Sequence, residues 1–172
     1  MMQRKEGVKM VLSEFENRTI IIKYGGKWGS TSHGEMKIVV QPFMEEQTVA
    51  KIKKLLNIIR ESNTPDAEQV IADFCKQWLS QYEIEQKILA NSHVDAKERA
   101  RKIEVDIVYN QRVRERYKRN TEPYKQYTEL LKAKKKELSA ENRVARSSLT
   151  DFNRNQKVKE KYEKVLEIIS QG

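Results

Sequence analysis

KIEVDIVYNQRVRERYKR, residues 102–119, has two readings, and the fold class turns on the choice between them. Ile103, Val105, Ile107 and Tyr109 alternate as a half-buried strand would. Ala100, Ile103 and Ile107, followed by Tyr109, Val113 and Tyr117, fall instead on helical faces. No Gly or Pro interrupts the stretch, and Arg, Glu and Lys, all good helix formers, fill it. Helix is the favoured reading, with a strand over 102–109 as its alternative.

Working outward, Pro123 interrupts the pattern because a residue before proline is disfavoured in the helical region. Tyr124, Tyr127, Leu130, Leu131 and Leu138 then resume a helical stripe. The polar run SAENRVARSSLTDFNRN (139–155) reads as a short helix with a loop. Val158, Tyr162, Val165, Leu166 and Ile169 mark a last amphipathic helix. On the N-terminal side, NSHVD (91–95) reads as a connection, with Ser92 and Asp95 spaced as a helix-capping pair. Before it, Ala67, Val70, Ile71, Phe74, Cys75, Trp78 and Tyr82 form the clearest helical stripe in the chain. Pro65 suits the first helical position, Thr64 its cap, and Asp66 and Glu68 the first turn. Trp78 and Cys75 are read as core residues. Val49, Ile52, Leu55, Leu56 and Ile59 define another helix, ended by SNTPD.

Only the N-terminal region carries the marks of β-structure. TIIIKY (19–24) and MKIVVQPF (36–43) are dominated by β-branched residues, Pro42 closes the second run, and VKMVL (8–12) would make a third strand. Two strands alone are marginal in water, so this sheet must lean on a helix or a partner. The expected fold is therefore α+β and mostly α: a small N-terminal antiparallel hairpin or meander over 1–44, then four to six helices, some long, over 45–172. One folding unit is expected for the whole.

Composition narrows the class further. Charged residues make up 34% of the 172 and hydrophobic ones 38%, a balance that suits long helices better than a large core. One cysteine allows no internal disulfide, and no cysteine-cluster metal site. No apolar run approaches the roughly 20 residues a membrane span requires, and the N-terminus lacks a signal-like stretch. A cytoplasmic chain without cofactor or metal is expected.

The net charge of +9 is unevenly spread: +3 over residues 1–42, −2 over 43–94, and +8 over 95–172. A basic half of this kind points to a polyanionic partner through counterion release. Tyr109, Tyr117, Tyr124 and Tyr127 interleave with cations, a combination suited to phosphate contact with stacking. The candidate nucleic-acid-binding residues are Arg112, Arg114, Arg116, Lys118, Arg119, Lys125, Lys132, Lys135 and Lys136. The KAKKK cluster (132–136) adds charge without base-reading geometry, so binding would be salt-sensitive and sequence-tolerant.

YGGKWGSTSHGE (24–35) holds four of the six glycines and supplies the second candidate surface. It matches neither the GxxxxGK[ST] phosphate cradle nor the GxGxxG fingerprint, and it leads into a strand where both of those open a helix. Its glycines would display Lys27, Trp28, Ser30, Thr31 and His33 at a tip able to meet a partner.

Catalysis has little support. His33 and His93 are far apart and belong to no metal motif. Glu83 with Glu85, and Glu104 with Asp106, diverge on a helix, and there is no GxSxG elbow. The expected function is that of a non-enzymatic basic accessory protein binding nucleic acid or a nucleoprotein. The alternative is a protein-docking inhibitor, adaptor or assembly factor, or a homodimer, with Trp28 and surplus apolar helix faces as the contact. A phage or mobile-element product directed at a host defence nuclease would fit that alternative.

Overall fold

The computed structural model describes residues 18–24 and 34–172. Among them the elements run β1 (Thr19–Tyr24), β2 (Gly34–Val39), α1 (Val40–Glu46), α2 (Val49–Glu61), α3 (Pro65–Arg114) and α4 (Glu122–Gln171). This is the expected fold class, an N-terminal antiparallel hairpin before a bundle of helices, four of them among the described residues. The third strand expected at 8–12 and the glycine-rich tip at 25–33 lie outside the described residues.

β1 and β2 pair antiparallel, with Thr19 opposite Val39 and Ile22 opposite Met36. Side chains alternate across the sheet, so Ile20, Ile22 and Ile38 are buried while Ile21, Lys23 and Val39 face out. The second strand is shorter than the β-branched run suggested. It ends at Val39, and Val40 opens α1 with its N–H donating to the Arg18 carbonyl at 2.9 Å. Pro42 sits in the first turn of that helix, where the backbone N–H it lacks has no intrahelical acceptor to miss.

The chain divides into two compact units, one of residues 1–84 with 156–172 and one of residues 85–155; α3 and α4 each contribute to both. In the first unit the hairpin leans on helices, as a two-stranded sheet must. Its inner isoleucines join Ile52, Leu55, Leu56 and Ile59 of α2, Ile71, Phe74 and Cys75 of α3, and Tyr162 and Val165 of α4. Phe74 meets Tyr162 edge to face, with ring centroids 5.7 Å apart. Each such large side chain, fully buried, contributes about 1.5–3 kcal/mol. Asn63 adopts φ 55° just past the end of α2, the left-handed position that ends a helix, and Pro65 then opens α3 as expected.

The second unit differs most from expectation. α3 passes through 91–95 and α4 through 139–155 without a break, so neither segment is a connection. Residues 102–109 are helical. Within this unit the two helices form one antiparallel hairpin, closed by the turn at 115–121.

Candidate nucleic-acid interface

The geometry of the 85–155 unit follows from a seam of period seven. Glu85 accepts from Asn155 at 3.1 Å, Ser92 meets Ser148 at 3.1 Å, Arg99 donates to Glu141 at 3.0 Å, and Lys134 reaches Asp106 at 3.4 Å. Successive contacts thus climb α3 by seven residues and descend α4 by seven, the register of an antiparallel coiled coil. Positions 86, 89, 93, 96, 100, 103, 107, 110 and 114 alternate in steps of three and four, as do 124, 127, 131, 134, 138, 141, 145, 148, 152 and 155. None of these side chains is exposed.

What fills the seam explains why it is hard to read. Ala96, Ala100, Ala145 and Ser148 are buried small residues, and only Ile107 and Leu131 are large buried aliphatics. Gln86 is buried as well. His93 places Nδ1 2.7 Å from the Ala145 carbonyl oxygen. Small side chains let two helices approach closely; Ser92 belongs to this seam and caps no helix.

At the turn end, aromatic and cationic groups lock the hairpin. Tyr117 stacks on Tyr127 with centroids 6.0 Å apart and planes 16° from parallel. The Arg114 guanidinium lies 5.2 Å above the Tyr124 ring, and its Nη1 donates to Thr128 Oγ1 at 3.5 Å. Three of the four tyrosines from 109 to 127 are thereby committed to the fold. Tyr109, 66% exposed, has no ring contact among the described residues.

The predicted cations divide in the same way. Arg114 is half-buried and belongs to the hairpin end. Arg112, Arg116, Lys118, Arg119, Lys125, Lys132, Lys135 and Lys136 are exposed, and none forms an ion pair among the described residues. Residues 85–155 hold 18 Lys and Arg against 11 Asp and Glu. The stretch 112–136 alone holds ten against three, so the rest of the unit is balanced. Among the described residues its single ion pair is Lys134 with Asp106.

Two further cations of α4, Arg143 and Arg146, which sequence reasoning did not pick out, extend the face begun by Lys132 and Lys136. Lys132, Lys136, Ser139, Arg143, Arg146 and Thr150 are spaced by four, three, four, three and four residues, and all are exposed. A shallow, open depression is lined by Ser139, Asn142, Arg143, Arg146, Ser147 and Thr150. The signal was the helical spacing itself, hidden because 139–155 read as a short helix with a loop.

The loop candidates Lys27, Trp28, Ser30, Thr31 and His33 lie outside the described residues. Among the described residues no group of three or more His, Cys, Asp and Glu is placed to hold a metal ion, and no helix is long and apolar enough to cross a membrane. The thiol of Cys75, buried in the first unit, is pushed up to about 12 by burial, far from the range of a reactive thiolate. The diverging carboxylates take separate partners: Glu83 pairs with Lys159, Glu85 with Asn155, and Asp106 with Lys134. Compared with protein-family models, with curated proteins and with solved structures, the chain matches none of them.

Proposed function

We propose that the protein binds nucleic acid or a nucleoprotein complex through the turn end of the 85–155 hairpin, without strong sequence preference and without catalysis. The observation that carries this reading is the concentration of ten cations in residues 112–136, eight of them exposed and without an ion pair among the described residues. Like charges three or four residues apart on a helix are destabilising by about 0.2–0.5 kcal/mol per pair. A polyanion removes that repulsion and gains from counterion release.

A second reading rests on a separate observation. On the side of α3 away from the seam, Val94, Val105 and Tyr109 are 61%, 64% and 66% exposed, and a face of this kind suits a protein partner. The two readings part on one comparison, the full chain purified at low salt with its ultraviolet absorbance ratio and bound proteins recorded. Nucleic acid is expected with the wild type and lost from the variant Arg116→Glu/Lys118→Glu/Arg119→Glu, with Val105→Ser/Tyr109→Ala behaving as wild type. The reverse pattern, a discrete protein lost from the second variant only, would favour the α3 face. A chain that carries neither partner would overturn both.

A further inference from the structure

The face of α4 from Lys132 to Thr150 has no acidic member. Its positions, Lys132, Lys136, Ser139, Arg143, Arg146 and Thr150, repeat at helical spacing, so they share one side. Glu129 lies one turn before Lys132, at the N-terminal end of the face; within 132–150, Glu137 falls on another side of the helix by its spacing, and Glu141 is held in the seam by Arg99 at 3.0 Å. None of the four cations has an ion pair among the described residues. Lys132 with Lys136, and Arg143 with Arg146, are like-charge neighbours at the spacings where repulsion costs helix stability. At about 1.5 Å per residue the face is about 27 Å long, enough to span several phosphates.

The chemistry of the face narrows its ligand. Arg forks and Lys ammonium groups with intervening hydroxyls are the usual donors to phosphate oxygens. No aromatic side chain lies among these positions. Proteins that hold single strands combine cations with rings on which bases stack, whereas a duplex keeps its base faces covered and presents a rigid phosphate array.

We infer that the ligand is a double-stranded nucleic acid, one phosphate backbone of which runs along this face of α4; the inference rests on the polyanion-binding reading above. Duplex DNA and duplex RNA both present that chemistry. The test measures binding of the full chain by fluorescence anisotropy to a short DNA duplex, an RNA duplex of the same sequence, and an unstructured single strand.

At least one duplex is expected to bind about tenfold more tightly than the single strand, and the tighter of the two identifies the source. Lys132→Gln/Lys136→Gln/Arg143→Gln/Arg146→Gln should weaken duplex binding by about tenfold or more and flatten its salt dependence by roughly one unit of slope per lost phosphate contact. The same variant should melt no lower than wild type, since it removes like-charge repulsion. As a check that needs no variant, amide signals of residues 132–150 should shift when duplex is added to the wild type. A single strand bound as tightly as either duplex would overturn the inference. So would undiminished binding by the four-residue variant when Arg116→Glu/Lys118→Glu/Arg119→Glu abolishes it, a result that leaves the broader reading standing. A wild type that binds none of the three would remove the broader reading and the inference together.

Discussion

Arg60 shows how single side chains close the first unit. Its Nε and Nη2 both donate to Glu68 Oε1, at 3.3 and 2.9 Å, and Nη2 also donates to the carbonyls of Ile168 and Ile169. One guanidinium thereby joins the end of α2, the first turn of α3 and the last carbonyls of α4; the helix dipoles favour the cation at the two C-terminal ends and the Glu68 carboxylate in the first turn of α3. Lys161 does the same for α1, donating to the carbonyls of Met44 and Glu45. Burial holds its ammonium below the usual lysine value, with Cys75 and Glu45 acting in the opposite sense. The stripe that buries Cys75 and packs the half-buried Trp78 against the same core was legible in the sequence because it repeats within one helix. The roles of Arg60 and Lys161 were not, because each depends on helix ends distant in the chain. Cys75 supplies the prediction at this scale. Its folded thiol holds its proton up to about 12 against an ordinary 9.0, so between those values the unfolded chain has lost a proton that the folded chain keeps. Stability should therefore fall as pH rises from about 9 towards 12. Cys75→Ala should show a shallower fall in denaturant midpoint over that window, although less stable at neutral pH; an unchanged slope would contradict the account.

Among the elements, the seam of the 85–155 unit carries the main lesson. The hairpin, α2 and the start of α3 follow periodicities of β-branched or large apolar residues, which is why they were legible. The continuation of α3 and α4 through 91–95 and 139–155 was not, because its seam positions are mostly alanine, serine, histidine and asparagine, too small or too polar to trace an apolar stripe. What holds these stretches in helix is the absence of Gly and Pro together with a partner helix at close range. Pairs stepping by seven, 85 with 155 and 92 with 148, are the trace that a search for complementary heptads would have found. Reading 139–155 as a short helix with a loop also hid the basic face, since a face that long needs an unbroken helix. Continuity is testable at Asp95, an exposed position in mid-helix. Asp95→Pro should cost about 3 kcal/mol or more, through a lost hydrogen bond and a clash with the preceding turn. Urea unfolding followed by circular dichroism measures the loss; a connection at 91–95 would tolerate the proline with little change.

Over the whole molecule, charge and apolar surface are divided. The first unit holds the mixed sheet and helix core, and the second holds 7 of the 9 units of net positive charge on a thin seam of small residues. A two-helix hairpin with so little buried apolar area has few resources to absorb charge repulsion, so its surface charges are where a ligand has the greatest effect. The sequence already placed the excess in the C-terminal half, and the fold concentrates it at one turn and along one helix face.

The most direct test of that account is the salt dependence of duplex binding by the wild-type chain. If four to five phosphates are contacted, as the unpaired cations of the turn end and α4 lead us to expect, log K should fall with log salt at a slope of about −4 for a DNA duplex. A slope near zero, or no binding at low salt, would contradict the claim that these cations are a polyanion surface.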